Sequence, residues 1–365
     1  MKINKYSLLS FTVLTTVACF YSCRDSKVKY IGTGSLDIYW EIESSLKNDM
    51  EPDSILWDEL FNTPGYKTLT ERELPKEWMQ HYISLGIKPS ESEEREIWKE
   101  KNYYDYRFVR HFAEVKDNTE LLQNFSREIN NRELIDRSLK LMLNYWTSSL
   151  GYADSIPVEF IFFDRDARGY EPILIDLLYA YETSRKGELE LLLAHEMHHF
   201  CRNRYLSFKR PSDTLPEYYI IWIMNQVHAE GIADLIDKPT RFDNPLNADK
   251  AKRYYSYLAD TPGHIKKMDS LLVNYSLAGE EKKQIARQIS QTAPNSGHPM
   301  GYFMASVILN ESGKETLLSQ IGNPFNFFRL YNDAASKYSD KYPRFSEKSI
   351  EVINKLESEY SIPAD

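Results

Sequence analysis

The stretch LLLAHEMHHFCRN, from Leu191 to Asn203, places three histidines and a glutamate within five residues of a leucine-rich run. Leu189, Leu192 and Leu193 favour a helix, and on a helix residues four apart lie about 40° from one another. His195 and His199 therefore project from one face, with Glu196 one step round. This is the H-E-x-x-H spacing, in which two neutral imidazoles hold zinc and the glutamate serves as general base. His198 lies three residues from His195 and points near the same face, so it is the alternative to His199 as ligand. In its other role it flanks the ion or meets solvent.

Two histidines do not complete a zinc site, so a third protein ligand is expected, with the fourth position left for water. Downstream, QVHAEGIADLID offers Glu230 and, four residues later, Asp234. On a helix the two carboxylates share a face: Glu230 closes the coordination, and Asp234 takes the N–H of a ligand histidine and orients its ring. Gly231 is expected to let this helix approach the histidine helix closely. Thr214-Leu-Pro-Glu217 has the form of a capping box with proline near the helix start. His228, two places from Glu230, points about 200° away from it and reads as structural.

A third motif, NSGHPMGYFMA, puts Pro299 at the first turn of a helix and His298 at its N-terminus, where backbone N–H groups favour developing negative charge. Either His298 or Tyr302, one turn along, can donate to a tetrahedral oxyanion. A helix cap and a core tyrosine is the plainer alternative for this pair. His81, His111 and His264 have no motif around them and receive no role.

H-E-x-x-H followed at a distance by E-x-x-x-D resembles the gluzincin arrangement of thermolysin-like metallopeptidases, whose second motif likewise carries the third ligand and a supporting aspartate. The series TPGYKTL, AHEMHH, HAEGIADLID and GHPMGYFMA is similar to that of a bacterial family of zinc-dependent peptidases. The likeness runs over much of residues 50–310 and is specific at the motifs. One departure is the gap from His199 to Glu230, 31 residues, which is longer than in thermolysin-like enzymes and makes the third ligand the weakest assignment.

Around these motifs, apolar residues recur at three and four places between short Pro/Gly breaks, and helices are expected over 35–47, 52–62, 91–116, 118–148, 186–203, 215–237, 247–260, 262–277, 299–311, 324–338 and 346–359. IPVEFIFF (156–163) and PILIDLLYAY (172–181) read instead as strands flanking the turn-like DRDARGYE. The expected fold class is therefore α+β, predominantly α-helical, with a small sheet or hairpin immediately before the histidine helix and, as the resemblance implies, a zincin-like core. We divide the chain into a leader over 1–22, a helical portion over 24–150 and a motif-bearing portion over 151–365, with no cuttable linker between the last two.

The leader follows from Lys2 and Lys5 ahead of the apolar run Tyr6 to Tyr21, the layout of a secretory signal and short and early for a spanning helix, with an uncleaved signal anchor or a plainly secreted chain as the alternatives. Ser22-Cys23 resembles a lipoprotein cleavage site. Cys23 is the expected lipid-bearing residue because charge follows it directly, with Cys19 as the alternative, and the lipid would anchor an exported chain to a bacterial membrane. Only Cys201 remains in the body, so there is no disulfide framework. Loss of residues 1–22 removes two lysines and no acids, taking the formal charge from −9 to −11. An acidic body argues against nucleic acid as a partner.

The sequence therefore predicts a zinc metallopeptidase acting on peptide or protein substrates, with zinc on His195, His199 and Glu230. By analogy with related folds, a strand within 156–181 is expected to bind extended peptide by edge pairing. The competing readings are a surface lipoprotein that binds peptides or glycans on its 26 tyrosines and 6 tryptophans without catalysis, and a closed structural zinc site with four protein ligands.

Overall fold

The computed structural model describes residues 31–101, 105–129, 132–152, 155–338 and 341–362. The leader and both candidate lipidation sites, Cys19 and Cys23, lie outside the described residues. Four short strands form one sheet: β1 (Ile31–Gly32), β2 (Val158–Ile161), β3 (Ala167–Arg168) and β4 (Ile173–Asp176), in the order β1-β2-β4-β3. The first three in that order run parallel, with Val158 opposite Ile173, and β3 closes antiparallel on β4, with Ala167 opposite Ile175. Every residue of β2 and β4 is buried. That is why, Glu159 and Asp176 apart, both read as apolar runs rather than alternating ones.

Seventeen helices surround this sheet among the described residues. The first eight are α1 (Gly34–Lys47), α2 (Ser54–Asn62), α3 (Pro64–Arg72), α4 (Lys76–Ile87), α5 (Ser92–Lys101), α6 (Tyr106–Asp117), α7 (Thr119–Ile129) and α8 (Arg132–Leu143). The other nine are α9 (Leu177–Ser184), α10 (Leu189–Arg202), α11 (Pro216–Asp243), α12 (Ala248–Leu277), α13 (Lys282–Ser290), α14 (His298–Ser312), α15 (Lys314–Leu318), α16 (Pro324–Ser336) and α17 (Glu347–Tyr360). The fold is thus α+β and predominantly helical.

Several local expectations are corrected. The run 172–181 is a strand only to Asp176, whose carboxylate accepts from Tyr179 N at 2.9 Å and so caps α9. The same carboxylate accepts from Phe163 N at 3.0 Å and lies 2.8 Å from His111 Nε2. The two helices expected on either side of Pro262 are one, α12. The hydrogen bond that proline removes is offset by a buried stripe on both sides of it, from Ala251 and Tyr254 to Ile265, Met268 and Leu272. Conversely, the spans 91–116 and 118–148 each break into two helices, and α3, α4, α13 and α15 were not expected at all. The capping box does not form: α11 begins at Pro216 without a side-chain cap, the Thr214 hydroxyl meets Ser212 Oγ at 2.8 Å, and Glu217 accepts from Tyr275 Oη at 2.6 Å.

The portion before residue 151 does more than cover the sheet. It supplies β1, and Tyr39 on α1 packs its ring 4.5 Å from that of Phe162, while Tyr66 on α3 donates to the Phe162 carbonyl at 3.0 Å. Side chains from both portions join one buried apolar cluster.

Candidate metal centre

α10 is buried almost throughout because it is walled by α8, α11 and the sheet. Its leucines, Ala194 and Met197 fill that interior, so His195 and Glu196, only 5% and 7% exposed, are held in apolar surroundings. α11 lies alongside in the opposite direction, since rising numbers on α10 meet falling numbers on α11: His195 faces Asp237, His199 faces Glu230, and Arg202 faces His228 and Asn225.

At the middle of this contact three ligand atoms converge. His195 Nε2 and His199 Nε2 are 3.0 Å apart, and Glu230 Oε2 lies 3.3 Å from the first and 3.2 Å from the second. Tetrahedral ligands about 2.0–2.1 Å from a zinc ion are separated by roughly 3.3 Å, so the spacing fits the ion. The donor set fits it too: two imidazole nitrogens facing each other and one carboxylate oxygen present three lone pairs to a single point, and one shared proton can satisfy only one edge of that triangle. Among the described residues no fourth His, Cys, Asp or Glu joins this group.

Charge around the three atoms is set by their neighbours. Burial pushes the His195 imidazolium down, but Asp237 and Glu230 outweigh it and hold the ring well above its ordinary pKa. Burial would raise Glu230, yet His199, His298 and His195 keep it well below the carboxylate range. The site thus demands positive charge among its carboxylates. Glu196 is the exception, raised by burial against a partial offset from His195 and His199.

The surrounding carboxylates divide the work. Asp237 Oδ1 is 3.2 Å from His195 Nδ1, whereas Asp234 Oδ1 is 3.7 Å from it. Asp234 instead receives His298 Nδ1 at 2.9 Å and Tyr254 Oη at 2.9 Å. Lys238 bridges the two acids, 2.9 Å from Asp234 and 3.0 Å from Asp237, and Arg241 adds a contact of 2.9 Å to Asp237. His298 stands at the first residue of α14, 3.3 Å from Glu230 Oε2, and Tyr302 one turn on turns its ring to Tyr254 at 6.2 Å.

Glycines allow these approaches. A Cβ at Gly231 would lie 2.5 Å from the Gly301 carbonyl oxygen, so Gly231 admits α14 and not α10, correcting the sequence reading. The Gly231–Gly301 crossing is what brings His298 to Asp234. Gly169, just after β3, lies against His199 Cβ and 3.4 Å, measured from an added Cβ, from Glu196 Oε2, which seats the sheet edge on the site.

His198 is turned away from the ligand group, edge-on to Trp146 at 5.7 Å, and burial keeps it well below its ordinary pKa. His228 is buried with Nδ1 2.9 Å from Arg202 Nη2 and its ring 5.0 Å from Phe327. Sequence reasoning passed over Asp237, Lys238, Tyr254 and Arg202. A signal existed for two: Asp237 lies seven residues past Glu230 and Arg202 seven past His195, two turns along the same faces.

No curated protein and no solved structure matches the chain. A family model described as "Putative zinc dependent peptidase" (DUF5700) matches residues 57–340, a span that contains His195, Glu196, His199, Glu230 and His298. With more than half of its length matched, the chain belongs to that family.

Proposed function

We propose that the chain is a zinc metallopeptidase that hydrolyses peptide bonds, with His195, His199 and Glu230 as the metal ligands. The observation that carries this is the convergence of His195 Nε2, His199 Nε2 and Glu230 Oε2 at 3.0–3.3 Å beside a buried glutamate. When bound, zinc supplies a Lewis acid that acidifies water and polarises the scissile carbonyl. Glu196, whose burial makes its carboxylate a better base, takes the proton from the attacking water and delivers it to the leaving amine. Asp237 fixes the His195 ring through Nδ1, leaving Nε2 to bind.

His298 is held at Nδ1 by Asp234, and as an imidazolium, the form that Asp234 and Glu230 favour against burial, it donates from Nε2 to the oxyanion; Tyr302 is the neighbouring candidate for that role. β3 is the sheet's edge strand beside Gly169 and Glu196, in position to pair with an extended peptide. The three-member ligand group favours catalysis over a closed structural site, which uses four protein ligands. The leader supports an exported chain, anchored by lipid at Cys23, whose substrates are peptides or proteins.

The test is cleavage of a mixture of unrelated peptides, read by mass spectrometry, alongside metal content. The wild type is expected to carry about one zinc per chain. Glu196→Gln is expected to keep the zinc and lose about 10²–10⁴-fold in turnover, and His195→Ala with His199→Ala to lose the zinc. A folded wild type with no zinc, or a Glu196→Gln variant as active as wild type, overturns the proposal.

A further inference from the structure

Polar contacts between α10 and α11 fall at three levels. The middle one is the ligand group itself, and His195 with Asp237 closes one end. At the other end stands Arg202, three residues past His199 and the largest of the fully buried side chains. Its Nη2 donates to Asn225 Oδ1 at 2.6 Å and to His228 Nδ1 at 2.9 Å, five and two residues ahead of Glu230.

This is an expensive way to pack an interior. Its acceptors are neutral: the amide oxygens of Asn225 and, at 3.4 Å from Nη1, Asn203, and an imidazole nitrogen that accepts a guanidinium N–H. Arg202 Nε is buried with no hydrogen-bond partner among the described residues. A buried guanidinium with neutral acceptors is generally less stabilising than an apolar side chain of the same volume. The opposite charge it feels most is Glu230, the third ligand. A planar guanidinium whose Nη2 meets two acceptors on the neighbouring helix, while Nη1 turns to Asn203 at 3.4 Å, holds that helix at one spacing and register, which a flexible point charge does not.

We propose that Arg202 is a positioning residue for the metal ligands: it locks the end of the α10–α11 contact opposite Asp237 so that His199 and Glu230 meet at ligand distance. The proposal rests on the zinc reading above. Arg202 touches neither metal nor substrate in this role and acts through helix spacing and through its field on Glu230.

The test is zinc affinity of the full chain, measured by competition with a chelating indicator, for wild type, Arg202→Lys, Arg202→Met and Arg202→Ala, with helix content followed by circular dichroism. Arg202→Lys keeps the charge without the planar guanidinium, and Arg202→Met keeps the volume without the charge. Both are expected to fold and to bind zinc about 10–100-fold more weakly. For Arg202→Ala, added guanidinium ion is expected to restore zinc affinity while ammonium is not. Folded variants that bind zinc within about twofold of wild type overturn the proposal alone. Variants that stay unfolded with or without guanidinium assign Arg202 to folding and overturn it as well. A wild type that binds no zinc removes the zinc reading first, before any variant is made, and this proposal with it.

Discussion

On α11, Asp234 and Asp237 are buried and Glu230 nearly so, all in company, whereas Glu159 on β2 is buried alone. The α11 acids are surrounded by His195, His199, His298, Lys238 and Arg241, and all three are held below their ordinary pKa although burial alone would raise them. Glu159 is 2% exposed, its Oε1 has no hydrogen-bond partner among the described residues, and burial pushes its pKa up to about 7. Gly32 on β1 leaves the space its carboxylate fills, and Gly65 sits beside its Cβ. The difference teaches that this fold tolerates a buried acid by two routes, neutralising it with a proton or surrounding it with cations. Only the second route leaves an anion available to hold metal and orient imidazoles.

The sharpest way to break that company is Asp237→Ala. It takes from His195 Nδ1, Lys238 and Arg241 the acceptor they share, leaving Lys238 on Asp234 and Arg241 on Glu188 and Tyr179, and removing one partner of a buried charge group costs about 3–5 kcal/mol. Urea unfolding of the metal-free chain is expected to lose stability in that range. A loss below about 1 kcal/mol, the scale of an exposed pair, would mean that the cations on α11 stabilise nothing.

Glu159 makes the opposite prediction, because its folded pKa lies above its unfolded value of 4.5. Below about pH 4.5 the acid is protonated in both states and contributes no pH dependence. As pH rises toward 7 the unfolded chain ionises first, so stability falls through that window and stays low above it. The shift corresponds to at most about 3 kcal/mol. Glu159→Gln is expected to be more stable than wild type at pH 8, with the advantage shrinking to nothing near pH 4. Unfolding curves for both proteins across that range decide it, and a difference independent of pH would show that Glu159 is paired after all.

Both regions were partly legible before any coordinates. The leucines and histidines of 189–203 fix a helix and a ligand pair by local spacing alone, and the β-branched run at 156–163 marks a buried strand. What stayed hidden depends on partners far along the chain. From Glu230, Asp234 and Asp237 both lie within about 40° on the helix face, so angle cannot choose between them. Only the antiparallel course of α10, which sets His195 one turn from His199 toward the C-terminal end of α11, brings Asp237 to the ring. In the same way Gly231 announces a close approach but not that α14 makes it, and Pro262 announces a break that the buried stripe of α12 overrides. Two residues of strand at Ile31–Gly32 carry no period at all, and β1 exists because β2 is there to pair with.

The smallest expected effect sharpens the comparison most. Tyr254 Oη donates to Asp234 Oδ2 at 2.9 Å, but Asp234 also holds His298 at 2.9 Å and Lys238 at 2.9 Å. If the α11 acids are stabilised by distributed company, Tyr254→Phe removes one donor of several and leaves no buried group empty, since the phenyl ring keeps its contact with Phe242 at 4.7 Å. A hydrogen bond to a charged group contributes about 1.5–3 kcal/mol, and the remaining partners should hold the cost near the lower figure in urea unfolding. A loss equal to that of Asp237→Ala would show instead that one neutral hydroxyl secures Asp234. The contrast between an acid kept by cations and an acid kept by a proton would then fail at its centre.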